Sequence, residues 1–364
     1  MPYFIDAHQD IAYNALSFGR DYTRPALETR RLETDTPTPS QTGQSLLGWP
    51  DYQRGQVGLI VATLFIAPKR PPVHDWETQT YRNPQEGSWL IRKQIDYYRR
   101  LVDEQPDKFV LVRNRRELLQ ALQPWEDSPA QYPEITHPVG LVMSLEGAEG
   151  LLAPEELEEF AELGLHLVGP VWGGGRYCGG TFEPGKFTSE GFRLLEVMAG
   201  LGYVLDISHM NEESARQALD IYPGTIIASH ANARDLLKNP PNERHLSDRV
   251  IRTLAERGGV MGVLPYNRFL KPDWKSGDDR REITLDTLAQ HIDHICQLTG
   301  SSAHVGIGTD FDGGFGWPAV PLEIDTIADL PKLVKVLEQR GYSPADCQAF
   351  CHGNWRTILE RILP

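Results

Sequence analysis

Cysteine is scarce in this chain, with four in 364 residues: Cys178, Cys296, Cys347 and Cys351. Their spacing gives neither the paired thiolates of a structural zinc site nor the density of a disulfide scaffold, so buried or idle thiols are expected, Cys347 and Cys351 on one helix face. Long apolar runs are also lacking. No stretch approaches the roughly eighteen apolar residues of a membrane span. The start, MPYFIDAHQD, has neither a basic nor an apolar leader character. The expected compartment is therefore the cytoplasm, without a membrane partner. Basic charge is the minority, 36 Lys and Arg against 50 Asp and Glu, a formal net charge of −14. That excludes the basic stripe a nucleic-acid backbone would require. There is no internal repeat and no flexible linker. The glycine-rich stretch from Trp172 to Gly180 lacks the GxxxxGK[ST] pattern of a nucleotide loop.

Apolar, β-branched runs alternating with helical patterns are present instead. Strands are expected at 3–5, 57–66, 139–145, 165–171, 203–209, 224–230, 259–264 and 304–309, most of them followed by a helix. The helix over 83–102 shows an apolar stripe of Trp89, Leu90, Ile95, Tyr98 and Leu101. Eight such strands predict an α/β fold, a (β/α)8 TIM barrel forming one domain over residues 1–364. Residues 18–50, rich in Arg, Thr, Pro and Gln, are expected as a rim or lid insertion, and 123–138, with four prolines, as a loop. His291 and His294, three apart on a charged helix, read as surface residues.

The stretch YVLDISH, a helical spacer opened by Asn211, and GTIIASH organise the chemistry. His209 and His230 leave neighbouring strands at their carboxyl ends, where barrels place their active sites. One strand-end histidine alone reads as a hydrogen-bonded structural residue; two in successive units point to a shared site. His8 and Asp10, two apart after the first strand, face the same side and could chelate, or could be a surface His beside a capping Asp. Glu146 ends an apolar strand and needs a partner, because an unpaired buried charge costs several kcal/mol, roughly. A metal, a salt bridge or a helix-cap role would each supply one. Beyond His230, the basic residues Arg234, Arg244 and His245 can face an anionic group.

On a closed barrel, His8, Asp10, Glu146, His209 and His230 converge at one mouth as nitrogen and oxygen donors. That set suits two divalent ions, zinc first among them, with Glu146 able to bridge. Metals can lower the pKa of water from ~15.7 to about 7, which makes hydrolysis the reaction class. Asp310, after the eighth strand, stands outside the five donors and can carry the proton to a leaving amine.

The motifs DAHQD, SLEG, DISH, ASHANAR with RHLSD, GIGTDFDGG and HGNWRTIL, in order along nearly the whole chain, resemble the renal or membrane dipeptidase family (peptidase family M19) of the amidohydrolase superfamily. The resemblance implies a barrel of the metallo-dependent hydrolase type that cleaves dipeptides at a binuclear zinc centre. It assigns His8 and Asp10 to one metal, His209 and His230 to the other, Glu146 to both, and Asp310 to catalysis. Arg244 falls where the family holds the substrate carboxylate, and Tyr266 matches a tyrosine near the substrate. One position departs: Gly169 stands where the family commonly has a histidine that polarises the scissile carbonyl, with Arg176 and Tyr177 nearby as candidate replacements. The expected partner is a dipeptide or similar small amide, and a homodimer is compatible with the chain. A binuclear hydrolase of another amide, ester or lactone is the second reading, and a catalytically idle binding barrel the third.

Overall fold

The eight apolar runs become eight parallel strands: β1 (Phe4–Gln9), β2 (Val57–Phe65), β3 (Val139–Glu146), β4 (Leu165–Gly169), β5 (Val204–Asp206), β6 (Ile226–Ile227), β7 (Met261–Val263) and β8 (Val305–Ile307). The structure, a computed structural model, describes residues 2–70, 74–275 and 277–364. Hydrogen bonding orders the strands β7-β8-β1-β2-β3-β4-β5-β6. A parallel bridge between Ala228 and Met261 joins β6 back to β7 and completes the ring. This is the (β/α)8 barrel expected from the alternation of apolar runs and helices. Phe109–Leu111 adds a short parallel strand beside the start of β3. Among the described residues, no helix is long and apolar enough to cross a membrane.

Several strands stop earlier than their apolar runs, for one physical reason. Sheet bonding gives way to carboxylates that take the backbone N–H groups. Asp206, at the end of β5, accepts from Ser208 N and Ser229 N at 3.0 Å each and from Ser208 Oγ at 2.5 Å. His209 and His230 thus stand on loops three residues past β5 and β6 rather than on the strands. Asp6 does the same at β8, accepting from Thr309 N at 2.7 Å and Thr309 Oγ1 at 2.6 Å. The register of β1 on β2 also shifts between Asp6 and Gln9, a bulge that re-aims the side chains around His8.

Segment 18–50 is more ordered than its composition suggests, with helices Ala26–Glu33 and Thr38–Thr42. It is fastened to Asp312, whose carboxylate accepts from Leu46 N (2.7 Å), Ser45 Oγ (2.9 Å) and Tyr22 OH (3.1 Å) and pairs with Arg20 (3.2 Å). The helix Pro84–Glu104 starts where expected, capped by Asn83. Trp89, however, lies off its apolar stripe at 55% exposure, with the Lys93 ammonium over its ring.

Part of the expected loop over 123–138 is helix, because Arg115–Asp127 runs through Pro124. Burial of Trp125 holds that last turn. Its indole packs where a Cβ on Gly58 would come within 3.0 Å, and its Nε1 donates to Pro138 O at 2.9 Å. His291 is a further correction: it is 2% exposed, and its Nδ1 accepts from Ala233 N at 3.2 Å. His294 does reach solvent and pairs with Asp248 at 2.6 Å. The thiols of Cys178, Cys347 and Cys351 are buried and that of Cys296 half-buried, all free.

The closing motif HGNW supports the barrel from beneath. Asn354 donates to Ser302 O and Val305 O at 2.7 Å each, and Trp355 Nε1 to Ile307 O at 2.9 Å. Inside the ring, Gly308 lies so close to β6 that a Cβ there would fall 1.9 Å from Ser229 O. Gly308→Ala is therefore expected to destabilise the fold by roughly 1–3 kcal/mol, the usual cost of overpacking, read as a lower denaturant midpoint. An unchanged midpoint would contradict the close approach.

Candidate active site

All five expected donors and Asp310 meet at the carboxyl-terminal mouth of the barrel; His209 is half-buried and the other five are buried. Glu146, the last residue of β3, stands at the centre. Its Oε2 lies 3.5 Å from His8 Nε2, while its Oε1 lies 2.7 Å from His209 Nε2 and 3.4 Å from His230 Nε2. His8 Nε2 is also 3.9 Å from Asp10 Oδ1 and 3.8 Å from Asp310 Oδ1. Among the described residues, three sets of ligand atoms fall within 4.8 Å of one another: His8, Asp10 and Glu146; Glu146, His209 and His230; and His8, His230 and Asp310. The first two share Glu146. The third draws Asp310 closer to the donors than the sequence reading placed it.

The imidazoles are oriented by hydroxyls that the sequence reading did not single out. His8 Nδ1 meets Thr63 Oγ1 at 3.3 Å, His209 Nδ1 meets Thr181 Oγ1 at 3.1 Å, and His230 Nδ1 meets Ser229 Oγ at 2.7 Å. Thr181 Oγ1 also lies 3.3 Å from the carbonyl of His209. If it donates there, it accepts from Nδ1–H and leaves Nε2 as a lone pair aimed at the cluster. An outer hydrogen bond of this kind is the usual means of fixing a metal-binding histidine. Of these hydroxyls, only Ser229 carried a sequence signal, through its place in the second Ser-His pair.

The donor set fits a cation. His8 Nε2 and Asp10 Oδ1 are buried without a hydrogen-bond partner, and such atoms are costly to leave unpaired. The Nε2 atoms of His209 and His230 face each other at 3.1 Å, an arrangement of two lone pairs that calls for a proton or a metal between them. The charges agree. Burial alone would lower the basicity of His8, yet Glu146, Asp10 and Asp310 override it and hold the imidazole well above its usual range. Burial would likewise raise Glu146, but the imidazoles of His8 and His209 hold it well below. Burial brings His209 down to about 4 and holds His230 well below its usual range, so both stay neutral donors.

Around this cluster opens a cavity of about 480 Å³. Among the described residues, its lining comes from the start of the chain, from Phe65, Ala67, Trp76, Glu77 and Thr80, from Glu146 at the end of β3 and from the loops after β4 to β8, but not from 18–50. Arg244 lines it and is 2% exposed. Its Nη1 donates to Ser208 O at 2.6 Å and its Nη2 to His230 O at 3.0 Å, while Nε has no partner. Tyr266 lines the same side, stacked on Phe315 with ring centroids 4.2 Å apart.

At the end of β4, Gly169 is not a steric necessity. A Cβ there would meet its nearest neighbour, Asp206 O, at 3.6 Å. Neither candidate replacement lines the cavity. Arg176 is committed to Glu190 and to the carbonyls of Glu149, Leu151 and Leu152, and Tyr177 is fully buried. Trp172, Thr181 and Phe182 from that loop line the cavity instead.

Comparison with known proteins agrees with this geometry. A Klebsiella pneumoniae protein described only by its position in the pqqA 5′ region is 30% identical over 234 residues, covering 62% of this chain and 82% of its own. Dipeptidase ataJ of Aspergillus terreus is 29% identical over 347 residues, covering 87% of this chain and 77% of its own. A crystal structure described as dipeptidase AC, a metallopeptidase of family M19, superposes with a TM-score of 0.77 at 23% identity, over 100% of this chain and 99% of that one. The sequence profile of the membrane dipeptidase family matches residues 2–362. The chain therefore belongs to the membrane dipeptidase family, the metallopeptidases of family M19.

Proposed function

We propose that this chain hydrolyses the peptide bond of dipeptides with a free carboxyl end, using two divalent cations. His8 and Asp10 would hold one, His209 and His230 the other, and Glu146 both. The observation that carries this reading is the Glu146 carboxylate, with one oxygen toward His8 and the other toward His209 and His230. Zinc best suits such a mixture of imidazole and carboxylate donors. When bound, the cations supply Lewis-acid polarisation and a water acidic enough to react near neutral pH.

The chain's own residues do the rest. Asp310 takes a proton from the attacking water at its carboxylate and returns it to the amine nitrogen as the C–N bond breaks. Its backbone N–H donates to His8 O at 3.1 Å, which fixes it beside the donors, and its positive φ of 53° belongs to the sharp turn that follows β8. Arg244 orients the substrate through its free Nε and the remaining N–H groups of its fork, a charge-assisted contact with a carboxylate. Tyr266 and its aromatic neighbours flank the bound end and exclude water. The bare Gly169 favours one second reading, a small amide, ester or lactone hydrolysed on the same donors, because no side chain from β4 reaches toward the scissile carbonyl.

Arg244 separates the two. Arg244→Ala also frees the carbonyls of Ser208 and His230, so a single rate would mix structural and substrate effects. Comparing a dipeptide with its amidated form in the same variant cancels the structural part. The free dipeptide is expected to lose at least about tenfold in kcat/KM beyond the amidated one, since 1.4 kcal/mol corresponds to that factor. Equal losses, or a wild-type preference for the amidated form, would move the assignment to the second reading.

A further inference from the structure

The cavity walls differ from one side to the other. In an eight-stranded ring, β6 lies opposite β2, and the loops after them face each other across the metal-binding cluster. On the β6–β7 side, the charged lining groups are Arg244 and Arg268. On the β1–β2 side they are acidic, Asp10 and Glu77. Asp10 is engaged in the cluster. Glu77 accepts from His74 N at 2.9 Å through Oε2, and among the described residues its other oxygen accepts no hydrogen bond.

From the acidic side, at Tyr13 and Phe65, a continuous run of rings extends to the loop after β4. Tyr13 packs on Phe65 at 5.3 Å, Phe65 edge-on to Trp172 at 5.3 Å, and Trp172 edge-on to Phe182 at 5.3 Å. Trp172 reaches within 6.3 Å of the His209 ring, so the wall begins at the donor cluster and runs outward to the rim. These rings come from the loops after β1 and β4 and from the end of β2, and all four line the cavity.

We propose that the enzyme selects dipeptides whose N-terminal residue carries an aromatic or bulky apolar side chain, seated on the Tyr13–Phe65–Trp172–Phe182 wall with its α-ammonium toward Glu77. The proposal rests on the dipeptidase reading, because Arg244 at one end and the cluster in the middle fix which end of the substrate faces the wall. The C-terminal carboxylate goes to the β6 side. The N-terminal residue therefore goes to the β2 side, where acid meets its ammonium and rings meet its side chain. A small or acidic N-terminal side chain would leave the wall in water or bring negative charge toward Glu77, and it gains nothing from the burial that favours a large apolar group.

The test compares substrates that differ only in order and size, on the metal-loaded protein. Phe-Gly is expected to exceed Gly-Gly and Asp-Gly in kcat/KM by at least about tenfold, the scale of burying one large apolar side chain in an enzyme pocket. Phe182 is 57% exposed, so Phe182→Ala should fold normally. It should lower kcat/KM for Phe-Gly several-fold and leave Gly-Phe within about twofold. Trp172→Ala should act in the same direction and more strongly.

Calorimetric binding of the phosphinate isosteres of Phe-Gly and Gly-Phe supplies a readout independent of turnover and should show the same order. Equal kcat/KM for Phe-Gly and Gly-Gly, or variants that weaken Phe-Gly and Gly-Phe alike, would overturn the proposal while leaving the dipeptidase reading intact. A metal-loaded protein that cleaves none of these dipeptides would overturn both.

Discussion

His230→Ala is expected to lose one of two divalent ions and nearly all hydrolytic activity. The imidazole is 1% exposed, so its removal takes a nitrogen donor from the buried interior of the cluster. Its Nε2 faces His209 Nε2 at 3.1 Å and Glu146 Oε1 at 3.4 Å, and its Nδ1 is held by Ser229 at 2.7 Å. Removing it leaves His209 and Glu146 as the only members of one donor group, too few for a tetrahedral ion whose protein ligands normally number three or four. The measurement is metal content by elemental analysis beside the turnover of a dipeptide. Full metal content and normal rate in this variant would remove the assignment. Loss of one ion with the second retained would mark His230 as belonging to a single site, as the separate grouping of His8, Asp10 and Glu146 implies.

The second large effect concerns Asp310. Asp310→Asn should keep both ions and slow turnover by about 10²-fold or more, the scale usual for a general acid–base group. Burial raises the Asp310 carboxyl well above its usual range; His8 opposes this, and Asp10 and Glu146 add to it. A carboxyl so placed can hold a proton as well as release one, which a shuttle requires. The amide of Asn preserves shape but cannot do either. Asp310 also groups with His8 and His230 within ligand reach, so metal analysis of the variant discriminates. Loss of an ion together with the rate would make Asp310 a ligand, and normal turnover would end the shuttle role.

Strand composition carried most of the fold. Runs such as VGLIVATLF are buried on nearly every residue, and a strand covered on both faces must be apolar throughout, so local sequence suffices to find it. The strand ends were less legible. Asp206 and Asp6 each take N–H groups from a neighbouring strand end, and in the sequence they look like ordinary polar residues within DISH and DAHQD. The same is true of the helix through Pro124. Proline argues against a helix locally, whereas burial of Trp125 against Gly58 and the bond to Pro138 O are contacts between distant segments.

At the site, the sequence by itself singled out the polar groups that gather. His8, Asp10, Glu146, His209, His230 and Asp310 follow apolar strands, and in a parallel barrel strand ends must gather at one mouth. Arg244 and Tyr266 were placed by resemblance, and the structure puts both on the cavity wall. Only the tertiary structure decided how these groups face one another, which hydroxyl holds each imidazole, and that Arg176 and Tyr177 point elsewhere. It alone assembled Tyr13, Phe65, Trp172 and Phe182 into one wall. Strand ends are found from local burial patterns, but contacts among loops depend on closure of the ring, which brings together residues more than a hundred positions apart.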